Sequence, residues 1–146
     1  MQGAAEKTPA KSPSTEGGGA VQQASSTEKL AAKDEIPLWP YEKKLIELTN
    51  SQRQRYGLAE LTIDKGLLAS TRNHCYWMAS ARSMQHTTAA VAENIAMGQR
   101  SCEETIGSWM ASPGHRANML GRYSRIGMAA YQASDGTIYW CLQFLP

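Results

Sequence analysis

Three ionisable side chains stand in local sequence that does not partner them. His86 lies in a polar stretch, Glu93 precedes Asn94 and Ile95 in a run of small and apolar residues, and His115 follows Pro113-Gly114. Brought together, two imidazoles and a carboxylate bind a divalent cation, because ring nitrogens and carboxylate oxygens are ordinary Zn2+ ligands. The same trio does acid–base work near neutral pH. Their spacing matches no tight motif such as HExxH, so any convergence has to be made by the fold. The competing reading is a solvated loop histidine and a glutamate that serves a turn.

Other pairs are weaker. Ser112 and His115 stand three apart and can face each other, but with no third orienting group in view a serine hydrolase is not favoured. There is no GxSxG elbow. His74 and Cys75 are neighbours on a helix, so their side chains diverge by about 100° and do not form a nucleophile–base pair. Gly98 and Gly107 make no phosphate loop. Trp109, Tyr139 and Trp140 read as core or groove rim. The three cysteines, Cys75, Cys102 and Cys141, allow at most one internal bridge and form no CxxC pair, which argues against a finger-type zinc site. One bridge plus a buried thiol suits an exported protein; three buried thiols suit a cytosolic one.

The elements that must position these residues follow from periodicity and punctuation. Tyr41 to Tyr56 has a helical pattern, with Tyr41, Leu45, Leu48 and Gln52 on one face and Gly57 as its stop. Asp64 is the N-cap expected for a helix over Lys65 to Ser83, whose Leu67, Leu68, Thr71, Cys75 and Met78 recur three and four apart. Residues 84–91 read as a loop, and 92–98 as a short extended or turn segment. Ser101 and Glu104 have capping-box spacing ahead of another helix. Pro113 opens a further short helix to about Leu120. Arg125 to Gln132 and Thr137 to Phe144 form a hairpin around Ser134-Asp135-Gly136. Helices and strands do not alternate regularly, so the class is α+β.

Residues 1–37 hold few large aliphatics and no aromatic ring, and are read as a disordered low-complexity linker or tether. Residues 38–146 carry all four Trp and all six Tyr, and are read as one domain. The net charge of +2, without a basic stripe, argues against nucleic acid. No run of 18 apolar residues marks a transmembrane helix, and no signal peptide is visible at the N-terminus.

Several segments, taken in order, resemble one family. They are Asn50-x-x-Arg53 with Gly57-Leu58 and Leu61, the helix Leu67 to Ala79, and Ala92-Glu93-Asn94-Ile95-Ala96-Met97-Gly98. Then come Trp109-x-x-Ser112-Pro113-Gly114-His115-Arg116-Ala117-Asn118-Met119-Leu120, Ile126-Gly127-Met128-Ala129, and Tyr139-Trp140-x-x-Gln143-Phe144. Together they resemble the CAP superfamily (SCP or PR-1-like domains) in its compact bacterial form, over about Pro40 to Phe144. The resemblance implies an α-β-α sandwich with a central antiparallel sheet, and hence more strands than the hairpin alone. It also implies a cleft lined by two His and two Glu. His86, Glu93 and His115 match three of these, and Ser112 stands where the second Glu is expected.

Two functions follow as expectations. The first is an exported binding module, secreted or at the cell envelope. Its cleft of His86, Glu93, Ser112 and His115 would take a small apolar molecule, lipid, peptide or envelope component. Zn2+ or another divalent cation could sit on His86 and His115. The second is a metal-assisted hydrolase with Glu93 as the base. A Glu93 that ligates a metal cannot also be the free base, which ranks the binding module first.

Overall fold

The computed structural model describes residues 3–7 and 37–146. In chain order the elements are β1 (Gly3–Lys7), α1 (Pro40–Arg55), β2 (Thr62–Ile63), α2 (Lys65–Ala81), β3 (Ala92–Met97), α3 (Cys102–Met110), α4 (Pro113–Met119), β4 (Arg125–Gln132) and β5 (Ile138–Leu145). The five strands form one sheet in the order β1-β3-β5-β4-β2. Three of its four pairings are antiparallel; β2 with β4 is parallel.

The helix ends are set by local chemistry. Pro40 starts α1, and Glu42 Oε1 accepts from Trp39 N at 2.9 Å. Asp64 Oδ1 caps α2 by accepting from Leu67 N at 2.9 Å. That helix stops at Ala81, two residues short of the expected end, because Arg82 turns left-handed (φ 52°) and Ser83 N returns to the Met78 carbonyl. Ser101 Oγ accepts from Glu104 N at 3.0 Å, as the spacing predicts, while the Glu104 carboxylate reaches back to Arg100 N.

Alternation along β5 divides the core into two layers. Trp140, Leu142 and Phe144 face α1, α3 and α4, and meet Leu45, Ile46, Ile106, Trp109 and Met119. Tyr139 and Cys141 face α2, and meet Cys75, Met78, Ile95 and Ala129. The molecule is therefore an α-β-α sandwich, as the resemblance implied, with a mixed rather than purely antiparallel sheet.

β3 falls in residues 92–98, read as a short extended or turn segment, whereas β1 and β2 have no counterpart in the periodicity. β2 is two residues long, and β3 is buried on both faces, so it shows no alternation. β1 lies within residues 1–37, the segment read as a tether; of that segment, residues 1–2 and 8–36 lie outside the described residues. Its Gly-Ala-Ala-Glu-Lys run pairs through main-chain groups, which no hydrophobic pattern reports.

All three cysteines are free and buried. Burial raises each thiol: Cys102 to about 11, with Glu103 adding to the effect, and Cys75 and Cys141 further still. The neutral thiol is thus the form that the fold prefers. Its contribution to stability is complete below the ordinary value of 9.0 and is lost as pH rises toward and beyond about 11. Iodoacetamide at neutral pH is expected to leave the native protein unmodified, and to alkylate three sites in denaturant. Rapid native labelling at Cys75 or Cys141 would contradict the packing.

Candidate functional site

Glu93 is the centre of a buried polar cluster. Its side chain is 0 % exposed, and both oxygens are engaged. Oε1 accepts from Thr87 N at 3.0 Å and lies 2.7 Å from His86 Nδ1. Oε2 accepts from Gln143 Nε2 at 2.9 Å and lies 3.5 Å from Cys141 Sγ. His74 Nε2 stands 3.8 Å from the same Oε2, within ion-pair range when that imidazole is protonated.

Three elements fix this arrangement. The register sets Glu93 opposite Gln143, so the two side chains share the face of the sheet beneath α2. Gln143 Oε1 is itself held by α2, with Ser70 Oγ at 3.2 Å and Thr71 Oγ1 at 3.0 Å. Thr71 Oγ1 is also 2.7 Å from the Leu67 carbonyl, so its single proton serves one acceptor at a time and Ser70 supplies the other bond. The loop carrying His86 is tied to α2 where His74 Nε2 meets the Gln85 carbonyl at 2.7 Å. His74 stacks on Trp77, which is partly exposed.

His86 has a defined orientation as a result. A carboxylate only accepts, so His86 Nδ1 carries the proton toward Glu93, and Nε2 is left at the other end of the ring. That Nε2 is buried and meets no hydrogen-bond partner among the described residues, although a quarter of the side chain is solvent-exposed. An imidazole with one nitrogen fixed and the other unsatisfied is a ready acceptor in its neutral form, and a donor when protonated.

His115 belongs to a second pair. Its Nδ1 lies 2.8 Å from Ser112 Oγ, at the start of α4. Its carbonyl accepts from Asn94 Nδ2 at 3.1 Å. Asn118 Nδ2 reaches both Asn94 Oδ1 and the Glu93 carbonyl, at 3.0 and 3.3 Å. Because neighbouring strand residues face opposite ways, Glu93 meets α2 while Asn94 meets α4. The structure therefore joins His86 to Glu93 and His115 to Ser112, with β3 between the pairs.

Sequence reasoning missed His74, Gln143, Ser70 and Thr71. The available signal was Gln143, a polar side chain in the middle of an otherwise apolar strand (Ile-Tyr-Trp-Cys-Leu-Gln-Phe-Leu). Such a residue needs a buried polar partner.

Among the described residues no group of three or more His, Cys, Asp and Glu side chains could hold a metal ion. Both Glu93 oxygens are spent on protein donors, so Glu93 serves as a support behind His86 rather than as a ligand.

Fold and site together define a class: an α-β-α sandwich whose third strand carries a buried Glu-Asn pair between a loop histidine and a helix-start histidine. Residues 46–144 match the profile of the cysteine-rich secretory protein family (CAP), and the chain belongs to that family. The chain is 35% identical to the uncharacterized protein YkwD of Bacillus subtilis, over 72% of its own length and 47% of that protein's. It thus spans about half the length of the curated relative it matches. Among solved structures, its fold is similar to an outer surface protein of Borrelia burgdorferi (TM-score 0.64, 18% identity, 70% of this chain and 89% of that one). It is also similar to an extracellular SCP-domain protein of Bacillus anthracis (TM-score 0.61, 20% identity, 76% and 45%). A cysteine-rich secretory protein of Staphylococcus aureus gives a TM-score of 0.58 at 22% identity, over 81% and 48%.

Proposed function

We propose that this CAP domain is an exported binding module, and that His86 Nε2 is the polar anchor of a cleft also lined by Ser112 and His115. The observation that carries this reading is the combination at His86: one ring nitrogen fixed by a buried carboxylate, the other buried and unsatisfied. A buried polar atom without a partner is costly, and it is a natural place for a ligand's polar group. Half-exposed Trp77 nearby supplies apolar surface. The occupant would then be a small, mostly apolar molecule, a lipid or a peptide with one polar group.

Export is supported by relatives described as outer-surface and extracellular proteins. The cysteines do not add to this support: all three thiols are free and buried, the state expected of a cytosolic protein, and only their shielding from oxidants makes them compatible with export. No helix among the described residues is long and apolar enough to cross a membrane.

The geometry speaks against hydrolysis with Glu93 as base. Its carboxylate is enclosed and fully hydrogen-bonded, so it meets neither bulk water nor an incoming substrate.

An apolar fluorescent probe, anilinonaphthalene sulfonate, tests the cleft. Binding to the wild-type protein is expected to weaken at least tenfold in His86→Ala and again in the double variant with His115→Ala. Coincident titration curves for wild-type and double variant would remove the cleft from the function.

A further inference from the structure

We propose that the outer edge of β3 is a strand-addition site for an extended peptide of small residues, and that Gly3–Lys7 is its built-in competitor. The pairing does not depend on the cleft reading, because it uses the main chain of β3 and not the imidazoles. Only its position beside the two histidine pairs touches that reading.

The observation is the pairing itself. β1 lies antiparallel to β3 in an unbroken five-residue register, from Gly3 opposite Met97 to Lys7 opposite Glu93. Without β1, β3 would be the edge of the sheet, since β5 lies on its other side. A strand made to stay at an edge usually carries lysine, proline or a bulge that discourages further pairing. β3 reads Ala-Glu-Asn-Ile-Ala-Met, has no proline or lysine, and pairs regularly with β5 over all six residues. Its one charged side chain is turned inward and spent on the protein's own donors. The edge is thus flat, regular and fit to accept another strand.

The occupant has the matching character. Gly3, Ala4 and Ala5 are small residues, and the β1 backbone runs alongside α4. Twenty-nine residues separate Lys7 from the domain boundary at Pro37, so the segment is covalently linked yet distant in sequence. Such a segment competes at an effective concentration on the order of millimolar, and an outside peptide has to displace it. The register brings Lys7 to the position of Glu93, between the His86 side of β3 and the α4 side that carries His115.

The test uses the full chain and two single variants, Ala4→Pro and Ala5→Pro. Alternate residues of a strand direct their N–H groups to the same neighbour, so one of these two prolines must delete a bond to β3. The probe is a fluorescent peptide of residues 1–8 of this chain, followed by anisotropy. Binding is expected to be at least tenfold tighter to one of the two variants than to the wild-type protein. Equal affinity for all three chains, or no binding to either folded variant, would overturn the proposal. Amide hydrogen exchange gives a second readout in the wild-type chain alone. Slow exchange of the β3 amides that face β1 is expected, and exchange as fast as in exposed loops would overturn it. A wild-type dimer that becomes monomeric in the proline variant would place the strand in a second copy and overturn the built-in competitor. Because His86→Ala leaves the β3 main chain intact, the tighter peptide binding of the proline variant should persist when His86→Ala is added to it. Failure of the cleft and failure of the strand site are therefore distinguishable.

Discussion

Glu93→Ala is expected to destabilise the protein by about 4 kcal/mol, the largest effect of any single change near the site. The estimate follows from what the side chain leaves behind. Thr87 N, Gln143 Nε2 and His86 Nδ1 all lose their acceptor, and alanine fills none of the space. Each buried donor then carries the desolvation cost of an unmade hydrogen bond. Glu93→Gln separates charge from shape. Its single carbonyl oxygen serves one side of the cluster, while its NH2 group confronts a donor on the other. A smaller loss of about 2 kcal/mol is expected, with His86 no longer held in one orientation. Urea unfolding at neutral pH checks both values. A loss below about 1 kcal/mol for Glu93→Ala would mean that the cluster is not closed as described.

Gly127→Ala is the second large effect, and it acts at a distance from the histidines. A Cβ at this position would stand 2.4 Å from Thr71 Oγ1 and 2.6 Å from the Leu67 carbonyl. The threonine side chain can rotate away, but the carbonyl belongs to the backbone of α2, so the helix itself has to lift from β4. Overpacking of this kind costs about 2–3 kcal/mol. The shift also moves Ser70 and Thr71, which hold Gln143, which in turn holds Glu93. Probe binding at the cleft is therefore expected to weaken together with stability. The double variant Gly127→Ala/Thr71→Ala removes the side-chain clash and leaves the Leu67 carbonyl in place. It should remain destabilised relative to wild type, and full recovery would show that the helix backbone never touched the added methyl group.

The helices and the hairpin were legible because their signals are local. Asp64, Ser101 and Pro113 mark starts that the backbone geometry confirms. Apolar spacing of three and four residues foretold the buried face of α2. What remained illegible is long-range pairing. β3 is covered on both faces, so it lacks the alternation that identifies a strand. β1 and β2 join the sheet through main-chain groups, and β2 does so in parallel, a relation that no turn signal announces.

The site divides in the same way. His86, Glu93, Ser112 and His115 were chosen by residue type and resemblance, and the fold joins them as two pairs. His74 diverges from its helical neighbour Cys75, as helix geometry requires, but β3 brings Glu93 within 3.8 Å of it from 19 positions further along the chain, a contact that no local spacing reports. Gln143 was visible only as a polar interruption of an apolar strand. Its partners Ser70 and Thr71 lie more than 70 residues away.

The most direct measurement is the ring state of His86 by long-range 1H–15N correlation NMR, in buffer alkaline enough for a neutral imidazole. A ring held by the Glu93 carboxylate carries its proton on Nδ1 and leaves Nε2 bare, and Glu93→Gln should abolish that preference. A neutral ring protonated on Nε2 in the wild-type protein would contradict the account, because the nitrogen assigned to receive a ligand would not be the free one.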